Sequence, residues 1–332
     1  MSDPFVRPDV RQLLEFLDNL PGPKSHEVGP EGARQMMVAG RYALDVPARD
    51  IAVLRDVAGP VPLRLYDARE EREPGPVLVF IHGGGWVIGG IETHEPLCID
   101  LAIELDVPVV AVDYRLAPEF PFPAAFDDSV AAARWIAENG KALEREVTSL
   151  FLAGDSAGGN LVAVVTAALR DEPAAVPVAG QWLIYPATDP CVRYPSYNQF
   201  CEGYALTKPS MDWYEESYAG PKKDWRYSPL LKGVEGLPPT FVTTAGLDPI
   251  RDQGRAYAAR CAECGVETIY WEAPGTIHGF IQLRKALPSA FEDLERCYAY
   301  LKPWVERAKS SFADGTAFRR LRKPWTVPGA SQ

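Results

Sequence analysis

The chain is short of positive charge. It has 34 Lys and Arg residues against 45 Asp and Glu residues, a formal net charge of -11 over 332 residues. Proteins that bind nucleic acids present a basic face that neutralises phosphates, so this balance argues against a nucleic-acid partner. One basic cluster lies near the carboxyl terminus, in the polar stretch 308–332, which we interpret as a solvated tail: Arg319, Arg320, Arg322 and Lys323.

Long apolar runs are also missing. The longest nearly apolar run covers residues 161–169, well short of the roughly 18 residues that a membrane-spanning helix needs. Residues 1–20 are polar and acidic, without the basic start and apolar middle of a secretory signal. We therefore expect no membrane insertion and a cytoplasmic location.

Cysteine and histidine are scarce. The six cysteines have no regular spacing, and a chain of this size does not depend on disulfides for its core. Cys261 and Cys264 form a CxxC pair, but no second Cys or His pair completes a zinc site. We interpret them as two thiols on a helix. Without a metal-ligand set or a G-x-G-x-x-G motif, we predict no metal and no cofactor.

Short β-branched runs alternate with helical runs through the middle of the chain. Such alternation predicts an α/β fold, with a mostly parallel central sheet flanked by helices. Two earlier runs, 50–57 and 61–67, are separated by Ala58-Gly59-Pro60 and predict an antiparallel hairpin at the sheet edge. The predicted buried strands are 77–81, 107–112, 149–153, 180–185, 240–244 and 266–271, and the predicted helices between them include 126–139, 157–170 and 250–264.

Two regions interrupt this alternation. Residues 1–48 contain helical patterns, and residues 187–230 are rich in aromatic side chains without strand alternation. We predict that both form one helical cap over the carboxyl ends of the strands, where open α/β sheets bind ligands. The catalytic domain would then comprise residues 49–186 and 231–307. Alternatively, these two regions add packing without any role in substrate choice.

A G-x-S-x-G motif spans residues 154–158, with Ser156 at its centre. A predicted strand enters the motif and a predicted helix leaves it, which is the strand–turn–helix context that exposes a nucleophilic serine. The free N–H groups of the following helix favour developing negative charge. The motif predicts Ser156 as a nucleophile, with the neighbouring Asp155 as a structural carboxylate bonded to the backbone.

Three consecutive glycines follow the first predicted parallel strand, in His82-Gly83-Gly84-Gly85-Trp86. Backbone N–H donors stabilise the oxyanion of a tetrahedral intermediate, and glycines allow the main chain to approach it closely. We predict that the N–H groups of Gly83, Gly84 and Ala157 form this oxyanion hole. His82 is interpreted as a structural residue that holds the loop.

A serine nucleophile needs a general base, and neutral imidazole is the usual one. In a strand–turn–helix hydrolase the chain order is Ser, then the acid, then His, and His278 is the one histidine that follows Ser156. The acid should lie between them at the end of a strand. Asp248 is the preferred candidate, Asp252 is the second and Asp189 the third.

Six segments with this order and spacing resemble the bacterial esterases similar to hormone-sensitive lipase, in the α/β-hydrolase superfamily. They cover roughly residues 75–300: HGGGW at 82–86, DYRLAPE with FPAAFDD at 113–128, GDSAGGN at 154–160, GYALT at 203–207, LPPTFVTTAGLDPIRDQG at 237–254 and IHGF at 277–280. The resemblance implies an α/β-hydrolase fold with a helical cap and a triad of Ser156, Asp248 and His278. It also implies that Arg115 and Glu119 are internal structural charges.

The resemblance further implies a carboxylesterase that hydrolyses short- to medium-chain acyl esters through an acyl-enzyme. The predicted partner is a small-molecule ester, and the sheet edge would permit a homodimer. Alternatives are an amidase, formamidase or deacetylase with the same triad, or a non-catalytic small-molecule receptor. The predicted substrate pocket contains one side chain from the glycine loop and three from the aromatic region: Trp86, Tyr204, Trp213 and Tyr214.

Overall fold

A computed structural model describes residues 3–313 of the chain, with side chains described as far as residue 310. The strands are β1 Val53–Ala58, β2 Pro62–Asp67, β3 Gly75–Ile81, β4 Val109–Val112, β5 Val147–Asp155, β6 Val178–Ile184, β7 Thr240–Leu247 and β8 Thr268–Ile277. The helices are α1 Pro8–Asp18, α2 Gly29–Leu44, α3 Ile91–Glu104, α4 Ala124–Glu138, α5 Ala157–Asp171, α6 Pro195–Phe200, α7 Lys208–Tyr218, α8 Arg251–Glu263 and α9 Ala290–Ala313.

The eight strands form a single sheet in the order β1-β2-β4-β3-β5-β6-β7-β8. β1 pairs antiparallel with β2, and β2 pairs antiparallel with β4, whereas all the other pairs are parallel. The prediction of a mostly parallel sheet with a hairpin at its edge is therefore confirmed. β1 and β2 are joined by the three residues 59–61. So short a turn can join only antiparallel neighbours, because parallel strands need a longer crossover connection.

Hydrophobic cores lie on both faces of the sheet. Successive side chains of β3 alternate between them, so Val77 and Val79 belong to one core while Leu78 and Phe80 belong to the other. The strand is buried on both faces, as expected of a parallel strand covered by helices on each side. Burial of both faces explains why these strands are continuous apolar runs in the sequence.

β7 and β8 extend well beyond their predicted carboxyl ends. β7 continues to Leu247 and β8 continues to Ile277, and these two residues are paired across the sheet. The predictions ended at residues 244 and 271, because the glycines and Pro274 of these segments are typical of a loop. His278 consequently lies directly at the end of β8, one residue beyond the Leu247–Ile277 pair.

The segment 1–48 divides into two parts. α1 packs near β8 and α9, where Arg7 forms an ion pair with Asp293 at 2.6 Å. α2 contacts α3 instead, and its carboxyl end is held by Asp45, which pairs with the fully buried Arg284 at 2.8 Å. The two helices of the predicted cap segment 1–48 therefore pack against different parts of the molecule.

The segment 187–230 contains α6, α7 and a short 3-10 helix, Pro229–Leu231. The predicted division into a catalytic domain and a cap stays a prediction. The predicted tail at 308–332 begins inside α9, which runs to Ala313, and its basic cluster lies outside the described residues. No helix in the described part of the chain has the length and apolarity to cross a bilayer.

Candidate active site

Ser156, His278 and Asp248 meet at the carboxyl ends of three parallel strands. Ser156 follows β5, Asp248 follows β7 and His278 follows β8. The Ser156 Oγ lies 2.9 Å from His278 Nε2, and His278 Nδ1 lies 2.7 Å from Asp248 Oδ2. Asp248 is fully buried, and its other oxygen accepts a hydrogen bond from the Ile250 N–H at 2.9 Å. When the Nδ1–H of His278 donates to this carboxylate, Nε2 is unprotonated and can accept the serine proton.

The turn at Ser156 is strained. Ser156 has φ 54° and ψ -117°, an unusual backbone conformation for a residue with a side chain. The turn passes so close to β3 that a Cβ on Gly154 would lie 2.5 Å from the Ile81 carbonyl oxygen, and a Cβ on Gly158 would meet that same oxygen. The two glycines are therefore required by close approach, and the turn presents Ser156 at the start of α5.

The glycine loop after β3 lies beside this turn. Gly84 and Gly85 have positive φ values of 119° and 60°, and both line the cavity that contains Ser156. In the described chain neither glycine N–H donates to another protein atom, and neither does that of Ala157, the first residue of α5. These three N–H groups are free to donate hydrogen bonds to a negatively charged oxygen.

The prediction for Gly83 is wrong. Its N–H donates to Asp155 Oδ1 at 2.8 Å, and Gly83 does not line the cavity among the described residues. A donor already used by a buried carboxylate cannot also bind an oxyanion. Gly85, one residue beyond the predicted pair, has the free donor instead.

Asp155 has the structural role that was predicted for it. It is buried, and it accepts from Gly83 while the His94 Nε2 lies 3.1 Å from the same oxygen. Burial raises the pKa of Asp155, but the nearby His94 ring and the Gly83 N–H outweigh that effect, so the pKa lies below its ordinary value. The resulting carboxylate joins the glycine loop to the residue that precedes the nucleophile.

His82 holds the start of the same loop. Its ring stacks on Tyr114 at 4.2 Å with an interplanar angle of 10°, and its Nδ1 donates to the Gly83 carbonyl at 2.8 Å. Complete burial, with a smaller contribution from His94, lowers the pKa of His82 to about 3. A neutral imidazole at this position is a packing residue, as the sequence predicted.

A cavity of about 430 Å³ opens onto Ser156 and His278. It is lined by the glycine loop, by the turn at Ser156 and by side chains from both predicted cap regions. Of the predicted pocket residues, Trp86 and Tyr214 line it. The volume is within the usual range for a small-molecule site, roughly 300–1,000 Å³.

Comparison with known proteins identifies the family. A family model described as the alpha/beta hydrolase fold matches residues 78–282, more than half of the chain. The chain belongs to the α/β hydrolases. This membership confirms the predicted fold class and the predicted resemblance to the α/β hydrolases.

Similar proteins cover most of this α/β hydrolase. Carboxylesterase NlhH of Mycobacterium tuberculosis is 35% identical over 315 residues, covering 91% of this chain and 98% of the relative. Ethyl acetate hydrolase of Pseudomonas putida is 34% identical over 264 residues, covering 78% and 83%.

Solved structures show the same architecture. An ester hydrolase from the metagenome of Lake Arreo has a TM-score of 0.84 at 40% identity, covering 90% of this chain and 98% of its own. The hyperthermophilic esterase from Pyrobaculum calidifontis has a TM-score of 0.82 at 32% identity, again covering 90% and 98%.

Two predicted pocket residues of this α/β hydrolase lie elsewhere. Neither Tyr204 nor Trp213 belongs to the described lining of the cavity. The Tyr204 ring packs edge-on against Phe200 at 5.2 Å, and the Trp213 ring packs against Tyr214 at 5.0 Å. The sequence showed that the region is aromatic, but the side of α7 that faces the cavity depends on tertiary packing.

The alternative acids in the hydrolase have other partners. Asp252 accepts from the Ser196 N–H at 3.0 Å and pairs with Arg251 at 2.9 Å. Asp189 accepts from the Tyr194 hydroxyl at 2.8 Å. Only Asp248, among the three candidates, contacts His278 in the described structure.

Other predicted features of the hydrolase have mixed outcomes. Arg115 pairs with Asp128 and Glu119 pairs with Arg34, each at 2.7 Å. The Arg115 and Glu119 side chains are about half exposed, so the prediction of internal charges is wrong.

Cys261 is a free, buried thiol on α8. The described residues contain no group of three or more His, Cys, Asp or Glu side chains arranged to hold a metal ion. The homodimer and the cytoplasmic location stay predictions.

Proposed function

We propose that this α/β hydrolase is a carboxylesterase that uses Ser156, His278 and Asp248 as its triad. The observation that carries the proposal is the continuous hydrogen-bonded chain from Ser156 through His278 to the buried Asp248, with Ser156 open to the cavity. This arrangement contains a nucleophile, a base and the group that orients the base.

The reaction proceeds in two halves. The Ser156 Oγ attacks the ester carbonyl carbon while His278 Nε2 takes its proton, and Asp248 stabilises the imidazolium that forms. The imidazolium then gives the proton to the leaving alkoxide, so an alcohol departs and an acyl-enzyme remains. In the second half His278 takes a proton from water, and the oxygen of that water adds to the acyl carbonyl carbon. The imidazolium then returns the proton to the departing Ser156 Oγ, and a carboxylic acid is released.

The oxyanion of each tetrahedral intermediate would be bound by the N–H groups of Gly84, Gly85 and Ala157. Their unused donors and their position in the cavity lining support this assignment. Asp155 and His82 act indirectly, because they hold the loop and the nucleophile turn in register. Fixed donors need no reorganisation when charge develops, which is the basis of their effect on the rate.

Small acyl esters are the proposed substrates. The names of the relatives, carboxylesterase and ethyl acetate hydrolase, support an ester of a small acid and alcohol. The cavity volume of about 430 Å³ accommodates a short- to medium-chain acyl group together with an alcohol group.

The test is hydrolysis of p-nitrophenyl esters from acetate to decanoate by the wild type and the Ser156→Ala variant. We expect turnover of the short esters to fall by roughly 10⁴-fold or more in the variant, because no acyl-enzyme can form. Ser210→Ala, a change of a serine in the cap segment, should retain the wild-type rate. A fluorophosphonate probe should label the wild type at Ser156.

Matched amides of the same acyl groups separate the neighbouring activities. Equal ester hydrolysis by the wild type and Ser156→Ala would overturn the proposal. Faster cleavage of the amide than of the ester would replace the esterase by an amidase, and probe labelling without turnover of either substrate class would also contradict the esterase.

A further inference from the structure

The cavity has a rigid part. Trp86 is 5% exposed, and its ring stacks on Tyr218 at 4.5 Å with an interplanar angle of 6°. The edge of Tyr227 meets the same indole at 5.3 Å. The Trp86 carbonyl also accepts from the Ala117 N–H at 2.9 Å. Stacked aromatic rings with a fixed backbone leave this side of the cavity little freedom to adapt to a substrate.

The cap segments 1–48 and 187–230 contribute methionine side chains to the cavity lining, in contrast to the stacked aromatic rings around Trp86. Met36 and Met37 of α2 and Met211 of α7 all contribute to it. The chain has four methionines, and the fourth is Met1, outside the described residues. Every methionine in residues 3–313 therefore lines this one cavity. Met36 is 41% exposed at its mouth, whereas Met37 and Met211 are half-buried.

Four charged side chains that residues 187–230 contribute to this lining have partners. Glu215 pairs with Lys222 at 2.7 Å, and Asp212 pairs with Lys208 one helical turn earlier. The Arg193 guanidinium lies over the Tyr197 ring at 4.8 Å. With these charges occupied, the methionines and aromatic rings provide the contact surface for the variable part of a substrate.

Methionine is suited to that contact. Its unbranched chain has three rotatable bonds and a polarisable thioether, so it fills irregular gaps and makes favourable sulfur–aromatic contacts. A wall of leucine has the same bulk but a branched and stiffer shape. A flexible wall beside a fixed reaction centre can adjust to substituents of different shape without moving the reacting carbonyl.

We propose that Met36, Met37 and Met211 are specificity-determining residues that let this cavity accept esters with bulky groups of differing shape, aryl and branched or cyclic alkyl, besides short linear ones. The proposal deepens the esterase function and rests on it. Because the three side chains come from α2 and α7, the adjustable wall is shared between two segments that are far apart in the chain.

The experiment compares the wild type with the triple variant Met36→Leu/Met37→Leu/Met211→Leu. Two substrate groups share one leaving group: p-nitrophenyl acetate and butyrate, and p-nitrophenyl benzoate and cyclohexanecarboxylate. We expect kcat/KM for the linear pair to stay within about twofold, and kcat/KM for the bulky pair to fall by about tenfold, since shape mismatch in an apolar pocket gives effects of this size.

Val38→Leu is the matched control, because Val38 is on the same helix but lines a different groove. This variant should leave the ratio of kcat/KM between the two substrate groups unchanged. The single variant Met36→Leu, at the half-exposed position, provides the same comparison if the triple variant fails to fold, with a melting curve to establish folding.

The outcomes separate this proposal from the esterase function. If the triple variant lowers kcat/KM for both substrate groups by the same factor, or for neither, the role of the methionines is overturned while Ser156-dependent hydrolysis stands. A wild type that rejects benzoate and cyclohexanecarboxylate esters also overturns it. Absence of Ser156-dependent ester hydrolysis removes the esterase function itself.

Discussion

The carboxyl edge of the sheet and the cap segments form one cavity by different means. At the sheet edge, backbone groups and buried side chains determine every position: Asp248 is inaccessible, and Gly154 lies against β3 without room for a Cβ. The cap lining includes partly exposed side chains, such as Met36 on α2 and Tyr214 on α7. Under the proposed function, the sheet edge would determine the chemistry and the cap segments would select among substrates.

Among substitutions that test this comparison, Asp248→Asn at the sheet edge should have the largest effect on activity. An amide cannot stabilise the imidazolium and favours the wrong tautomer of His278, so kcat should fall by roughly 10³–10⁴-fold. Steady-state hydrolysis of p-nitrophenyl butyrate measures it. Asp252→Asn is the control, since Asp252 binds the Ser196 N–H instead. A comparable loss in the control would remove Asp248 from the triad.

Gly84→Ala should have the next largest effect. The added Cβ would meet the Ile88 carbonyl oxygen, and Gly84 has φ 119°, so the loop must shift its N–H donors. We expect kcat to fall by roughly 10²–10³-fold, as for loss of one oxyanion donor. Gly40→Ala, in α2 with open space around its Cβ position, should retain activity. Wild-type kcat in a folded Gly84→Ala protein would contradict the assigned oxyanion hole.

His82 gives the sheet edge a pH-dependent stability. Its folded pKa is lowered to about 3 by burial and by His94, so the unfolded chain binds the proton more readily. Stability from this residue is therefore complete above the unfolded pKa and falls as the pH falls toward 3. Between pH 7 and pH 5 the free energy of unfolding should lose about 2 kcal/mol through His82.

Urea unfolding at pH 7 and pH 5 measures this loss. His82→Gln should be less stable than the wild type at pH 7, yet it should show a smaller difference between the two pH values. Tyr114→Phe, which removes the hydrogen bond to the His82 carbonyl, should lower stability equally at both. The same pH difference in His82→Gln as in the wild type would show that this ring titrates normally.

Substitutions of the cap aromatics should have the smallest effects. Tyr214→Ala removes a cavity-lining ring and should raise KM several-fold with kcat nearly unchanged, because it affects binding rather than the reacting groups. Tyr204→Ala and Trp213→Ala remove rings outside the described lining and should leave KM within about twofold. A larger effect on kcat from any of the three would show that the cap also positions the reaction centre.

Features that could be predicted from the sequence belong mostly to the sheet, and features that could not belong mostly to the loops and the cap segments. The six buried strands, the edge hairpin and the Ser156–His278–Asp248 contact depend on apolar runs, on turn residues and on chain order, which are local properties. Strand ends were predicted too early at 244 and 271, because pairing with a neighbour extends β7 and β8 through glycine and proline.

The errors have physical causes that local patterns do not contain. Gly83, Gly84 and Gly85 are equivalent in the sequence, and only the approach of Asp155 decides which N–H is already occupied. Likewise, adjacent aromatic residues of α7 differ in whether they line the cavity, which depends on the segment packed against them. The exposure of Arg115 and Glu119 also depends on that packing rather than on their motif.

Two ion pairs attach the chain to the rest of the molecule before and after α2. Arg7 is fastened to Asp293 and Asp45 to the buried Arg284, so the chain between them is a loop whose two ends belong to the main body. A displaced α2 would stay tethered, at an effective concentration on the order of millimolar relative to its own docking surface. The return of a displaced α2 to that surface would then be a step within one molecule, with a rate independent of protein concentration.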